Sequence, residues 1–191
     1  MIMPRLKEAT RPHHDAIETR IDVFRMGRTI EGYRRVLERF LGYYEPVEEA
    51  FGRTSGWEAT GLDPDERRKA PLLKADLLAL GLDNEAIAAL PRCRDLPSLT
   101  GLAEAFGAMY VLEGATLGGQ YIRKSVASEF GIGPDSGCAF FSSYGDRVGP
   151  MWKAFGAALT DYATTPEIED AVIRSAIETF EAINGWFAAD V

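Results

Sequence analysis

Apolar residues along this chain recur every three or four positions far more often than every second one. That period lines them up on one face of an α-helix, whereas the alternating runs that mark strands are scarce. The pattern predicts a nearly all-α protein of about seven helices without an internal repeat. A first helix is expected to run to about residue 24. Thr10 suits its N-cap, which sets Pro12 at the second helical position, where a missing N–H costs nothing. Residues 6–9 then form a separate turn, or the segment kinks. A second helix, 30–51, is amphipathic and aromatic through Tyr33, Leu37, Phe40, Leu41, Tyr44 and Val47. A third opens at Asp63-Pro64-Asp65-Glu66, with cap, proline and acid in N-terminal order; Pro71 interrupts it and Gly81 ends it. A short helix spans 84–90, and a long segment, 98–130, holds five glycines between Gly101 and Gly119. GIGPDSG at 131–137 is a loop. A sixth helix contains MWKAFGAAL, and the last opens at Thr165-Pro166 and runs to about residue 188.

Composition sharpens this picture. The 191 residues, 46% of them hydrophobic, suffice for one domain over 1–191 with a real core. The net charge of −8 is spread rather than blocked, and no basic stripe with interleaved aromatics speaks for nucleic acid. Cys93 and Cys138 are too few and too far apart for a disulfide framework or a zinc site, and read as free thiols in a reducing cytosol. No run reaches the ~18 apolar residues of a membrane span, and the N-terminus lacks the apolar centre of a signal peptide. A cytoplasmic protein is expected.

Two segments carry candidate chemistry. YVLEGATLGGQYI, 110–122, is apolar enough for a buried helix yet contains Gly114, Gly118 and Gly119. Each glycine in a helix interior costs about 0.8–1 kcal/mol relative to alanine, roughly 2–3 kcal/mol for all three. Glycine offers close approach to the backbone. Either another helix packs through Gly114-x-x-x-Gly118, or a flat ligand lies on the helix, and the glycines alone do not decide between these. TRPHHDAIE, 10–18, holds both histidines of the chain. His14 shares a helix face with Thr10, Ile17, Glu18 and Ile21; His13 shares the adjacent one with Leu6, Ala9, Ala16, Ile17 and Arg20. Phase admits either histidine inward. Glu18, one turn beyond His14, can hold its imidazole and fix which nitrogen stays free, whereas His13 has Ile17 at that distance. Two histidines and two remote cysteines hardly build a multi-ligand metal site, but haem supplies most of its own ligands and needs one from the protein.

In this order and separation, LKEATRPHHDAIE and YVLEGATLGGQ resemble the first and distal helices of the heme oxygenase family, bacterial branch, which includes enzymes encoded with bacteriophytochromes. YRRVLERFLGYYEPVEEAF, WKAF and ETFEAINGWF extend the resemblance over nearly the whole chain. It implies an all-α fold with haem sandwiched between a proximal and a distal helix. It implies oxygen- and electron-dependent cleavage of haem, at once substrate and cofactor, to biliverdin, CO and ferrous iron. Carried over by position, His14 is the axial iron ligand and Glu18 orients its ring. Gly114, Gly118 and Gly119 let the distal helix approach the haem face. Lys7, Arg11 and Lys153 are the bases for the haem propionates, and Tyr44, Tyr110, Phe180 and Asn184 belong to the pocket. Two positions depart from the family pattern: Ala115 replaces an aspartate that many members carry, and Pro12 stands inside the first helix. No G-x-G-x-x-G dinucleotide fingerprint is present, so electrons are expected from an external ferredoxin or flavoprotein reductase. The competing readings are a non-catalytic haem-binding protein for storage, trafficking or sensing, and a helical interaction protein without haem.

Overall fold

A computed structural model describes residues 1–20 and 29–189. The helix boundaries follow local chemistry where the sequence carries caps. Thr29, Asp83 and Thr165 each accept a hydrogen bond from a backbone N–H three residues on, at Gly32 (3.1 Å), Ala86 (2.8 Å) and Ile168 (3.4 Å). They open α2 (Ile30–Arg53), α4 (Asn84–Ala89) and α7 (Pro166–Ala188). The remaining helices are α1 (Ile2–Arg20), α3 (Ala70–Ala79), α5 (Leu102–Phe130) and α6 (Val148–Tyr162), and the described residues contain no strand. The expected extension of the first helix through Ile21 to Phe24 lies outside the described residues.

The 29-residue α5 is the spine of the fold. It crosses α7 so closely that a Cβ on Gly107 would lie 2.3 Å from the Val172 carbonyl oxygen and 2.9 Å from the Ala176 nitrogen. Ser175 fastens the crossing by donating to the Glu104 carbonyl at 2.7 Å. Tyr43 donates from α2 to the Thr179 carbonyl of α7 at 3.1 Å. Arg5 ties the start of α1 to Glu169 and Asp170 at the start of α7. Leu6, Tyr33, Leu37, Leu41, Phe106 and Phe155 are fully buried in the core these helices share.

Two expectations need correction. First, α1 begins at Ile2 and passes through Pro12 without a break, so Thr10 is an interior residue and not a cap. Its hydroxyl donates back to the Leu6 carbonyl at 2.7 Å. Pro12 has no N–H for the Glu8 carbonyl, and proline inside a helix costs ~3 kcal/mol. Burial of Ile2 and Leu6, one turn apart, offsets this at about 1.5–3 kcal/mol each. Second, Asp63-Pro64-Asp65-Glu66 yields only one 3-10 turn, Asp65–Arg67, after which Arg68 is extended (φ −67°, ψ 135°). The helix begins at Ala70, and Pro71 lies in its first turn rather than interrupting it. Its cap comes from another helix: Glu48 of α2 accepts from the backbone N–H groups of Lys69 (2.6 Å) and Ala70 (3.1 Å). A cap remote in sequence leaves no local signature.

Asp76 secures the connection between α5 and α6. Its buried carboxylate accepts from the backbone nitrogens of Ala139 (2.6 Å) and Phe140 (2.8 Å). Burial nevertheless pushes its pKa from 3.8 up to about 6, against the lowering by those two hydrogen bonds. The folded state thus binds this proton more tightly than the unfolded state. The resulting stabilisation is complete below pH 3.8 and is lost as the pH rises through about 6. At 1.36 kcal/mol per pH unit, that is roughly 3 kcal/mol at most. In paired urea titrations, wild type is expected to gain stability relative to Asp76→Asn on acidification from neutral pH to about pH 4.5, near the unfolded carboxyl pKa. A pH-independent difference between the two proteins counts against a raised pKa.

Candidate functional site

A cavity of about 780 Å³ lies among α1, α2, α5, α6 and α7. This is within the ~300–1,000 Å³ typical of small-molecule sites. Helix α1 lines it with Lys7, Thr10, Arg11, His14, Asp15, Ile17 and Glu18. Their spacing of three and four residues is one continuous helix face. Helix α5 contributes Tyr110, Val111, Leu112, Gly114, Ala115, Leu117, Gly118 and Ile122. Phe40 and Tyr44 from α2, Trp152 from α6, and Phe180 and Ile183 from α7 complete an apolar lining. Charge is confined to α1: bases at Lys7 and Arg11, acids at Asp15 and Glu18, and His14 between them in sequence.

The glycines of α5 separate by role. A Cβ on Gly118 would meet nothing within 4 Å, and one on Gly114 would reach only the Trp152 ring, at 3.8 Å. Neither meets the backbone of another helix, so Gly114-x-x-x-Gly118 is not a close helix–helix crossing; that crossing is at Gly107. Gly119 does not line the large cavity. A Cβ there would come within 3.2 Å of the Phe141 carbonyl, and the residue borders a second cavity of about 80 Å³.

The histidines also separate. His13 is absent from the cavity lining and directs Nδ1 toward Glu181 of α7, at 3.8 Å. His14 lines the cavity, with its side chain 55% exposed. Its Nδ1 lies 3.7 Å from Glu18 Oε2 and 4.0 Å from Asp15 Oδ1. Its ring meets Phe180 edge to face, centroids 6.2 Å apart. Lys7, Arg11, Tyr44, Tyr110 and Phe180 are brought to the same cavity. Burial pushes both tyrosine pKa values up, which keeps the phenols protonated.

Lys153 and Asn184 are not brought there. Trp152 takes the inward direction on α6, and Lys153, one residue on, is exposed. Asn184 follows the inward-facing Ile183 and accepts from Arg20 Nε at 2.5 Å.

Sequence reasoning missed Asp15 and, more importantly, a buried ionic cluster beside α5. Glu113, 2% exposed, pairs through Oε2 with Arg67 and through Oε1 with Lys69 Nζ at 2.9 Å. Tyr144 donates to Glu113 Oε1 at 2.8 Å. Lys69 Nζ also donates to the Tyr144 hydroxyl (2.8 Å) and the Arg67 carbonyl (2.5 Å). Tyr144 is held at φ +64°, a left-handed conformation that costs a non-glycine residue roughly 1–2 kcal/mol. An acid inside the apolar run YVLEG was the available signal. Lys69 reaches the second cavity, as do Thr116 and Ser143. That cavity shares Phe40, Tyr44, Leu112, Ala115 and Ile122 with the larger one, so the two adjoin.

The arrangement suits a flat apolar molecule with acidic substituents and a ligand-accepting metal. Gly114 and Gly118 leave space at the α5 wall, Lys7 and Arg11 offer positive charge, and His14 offers one imidazole. Comparison with known proteins gives this chemistry a family. A model described as heme oxygenase matches residues 2–189. Among solved structures, the NO- and CO-bound heme oxygenase from Neisseria meningitidis superposes with a TM-score of 0.81 at 21% identity, covering 100% of this chain and 95% of that one. No curated protein sequence matches.

The glycine roles make opposite stability predictions. Gly118→Ala, in open space within a helix, is expected to raise unfolding stability by about 0.5–1 kcal/mol. Gly107→Ala forces backbone apart and is expected to lower it by at least ~1–3 kcal/mol. Urea denaturation of the two variants checks both signs.

Proposed function

The chain belongs to the heme oxygenase family, and from that premise we propose how its residues serve the opening of haem by dioxygen and externally supplied electrons. The observation that carries the reading is the meeting of one inward-facing histidine and two unobstructed glycines at a single apolar cavity. Bound haem supplies the iron that reduces dioxygen and the ring carbon that becomes oxidised.

His14 holds the iron from the α1 side. Its Nδ1 faces Glu18 and Asp15, which leaves Nε2 for the metal. The carboxylates favour the tautomer with its proton on Nδ1. Lys7 and Arg11, one and two turns before His14, receive the propionates. Phe180 packs against the imidazole and limits its rotation. On the α5 side, Gly114 and Gly118 leave the space that a flat ring and a small gas molecule would need. Tyr44, Tyr110 and the apolar remainder exclude bulk water, which strengthens every polar contact inside. The half-exposed His14 edge lies close enough to the surface for a docked ferredoxin or flavoprotein reductase to deliver electrons. Both cysteines are free, which suits a reducing cytosol, and no helix among the described residues is long and apolar enough to cross a membrane.

Hemin titration of wild type, His13→Ala and His14→Ala, followed by reductant in air with catalase present, tests the assignment. Wild type is expected to lose its Soret band and gain bilin absorbance. His14→Ala alone is expected to lose normal ligation. Haem that binds and persists in reduced wild type indicates a storage or transport protein on this fold. Damage from His13→Ala instead places the ligand one residue earlier. Gly118→Leu is expected to weaken haem binding by at least about tenfold, a loss of ~1.4 kcal/mol, while the fold stays intact.

A further inference from the structure

We propose that His14 Nδ1, Asp15 and Glu18 form a site for a divalent cation, the ferrous iron that haem cleavage releases, and that a cation held there keeps His14 from ligating the next haem. The inference rests on the haem-cleaving reading above. The three side chains each offer one ligand atom, and these atoms all lie within 4.8 Å of one another. Nδ1 lies 3.7 Å from Glu18 Oε2 and 4.0 Å from Asp15 Oδ1. Ligand atoms bound at about 2.0–2.2 Å to one cation sit roughly 3–3.5 Å from each other. Rotation of the two exposed carboxylates, moving each oxygen by about half an ångström toward Nδ1, closes the set.

Two features set this group apart from an ordinary acidic surface. Its centre is an imidazole, and the edge-to-face contact with Phe180, centroids 6.2 Å apart, holds that ring with Nδ1 toward both carboxylates. The carboxylates also lack a base: among the described residues, no lysine or arginine stands within ion-pair distance of either, although Lys7 and Arg11 line the same cavity. Their charge is therefore open to a cation. One imidazole and two carboxylates, with no thiolate, are donors that suit ferrous iron. All three residues line the cavity in which the ion would be set free.

Haem and the cation use opposite sides of one ring. Haem ligation needs the Nε2 lone pair, with the proton on Nδ1 beside the carboxylates. A cation on Nδ1 takes that nitrogen's lone pair, so the neutral ring carries its proton on Nε2 instead. The change balances without electron transfer: the Nδ1–H bond breaks and its proton goes to water, the Nδ1–metal bond forms, and Nε2 gains a proton from water. His14 then ligates no haem until a ferrous-iron chelator takes the cation away. His13 makes no such set among the described residues, because its Nδ1 faces one carboxylate, Glu181, at 3.8 Å.

The test begins with the haem-free protein, so that it does not depend on turnover. ¹⁵N-histidine NMR, assigned with His13→Ala, is expected to show the His14 proton on Nδ1 without metal and on Nε2 with Zn²⁺, a diamagnetic probe of the site. Anaerobic calorimetry with ferrous iron is expected to give the same affinity in wild type and His13→Ala. Affinity is expected to fall at least about tenfold in Asp15→Asn and Glu18→Gln and to vanish in His14→Ala, with circular dichroism checking that each variant is folded. Saturating Zn²⁺ is expected to weaken hemin binding by wild type, read from the Soret band, and to do so less in Asp15→Asn. A His14 proton that stays on Nδ1 under Zn²⁺ overturns the proposal. So do equal ferrous affinities of wild type and His14→Ala, or a wild-type hemin affinity that Zn²⁺ leaves unchanged. If wild type with hemin and reductant leaves haem intact, the functional reading fails, and NMR and calorimetry on the haem-free chain still decide the cation site by themselves.

Discussion

A buried carboxylate, Glu113, holds the frame around which the cavity is built. It lies in the middle of α5 and is met by Arg67 and Lys69 from the connection before α3, and by Tyr144 from the connection before α6. Two irregular segments are thereby fixed to the helix whose Gly114 and Gly118 line the large cavity. Removing one partner of such a pair leaves a charge stranded in low dielectric, typically at a cost of about 3–5 kcal/mol. The attachment therefore tolerates the left-handed backbone of Tyr144. It also lets α5 be held from behind, so that no side chain on its cavity face is needed for anchoring.

That separation explains how α5 carries so many glycines and remains one helix. Gly107 is occupied by the close approach of α7, and Gly119 by the backbone at Phe141. Gly114 and Gly118 have no such neighbour, and the space they leave belongs to the cavity. The propensity cost of the first pair is offset by packing within the protein. The cost of the second pair is not offset by close packing at those two positions and is carried by the rest of the fold.

The sequence made the helices legible where their signals are local. Period set the helix starts near 30 and 84, and Thr165-Pro166 the start of the last helix, which ends at Ala188; at each of these starts the cap, Thr29, Asp83 or Thr165, is a sequence neighbour. It misled where a partner is remote. Glu48 caps α3 from another helix, so the promising Asp63-Pro64 start became a single turn. Burial of Ile2 and Leu6 carried α1 across Pro12, which local rules forbid. In the site, helical phase grouped Thr10, His14, Ile17 and Glu18, and the family resemblance added Lys7 and Arg11; all six line the cavity, and of the two adjacent histidines His14, favoured by Glu18 one turn on, lines it while His13 turns to Glu181. Lys153 and Asn184 illustrate the converse: each is one residue, about 100° of helix, from the residue that faces inward.

The two halves of α1 show why the proline is tolerable. Before it, Ile2, Leu6 and Thr10 are buried and Arg5 is paired, so that half is fixed to the core. After it, only His13 and Ile17 are partly covered, and the half is held at its margin by His13 near Glu181 and Arg20 on Asn184. The Glu8 carbonyl that Pro12 leaves without its helical N–H lies at the join. A substrate seated against His14 on one side of the join and Lys7 on the other contacts both halves at once. On the proposed function, such a substrate would brace α1 across the join.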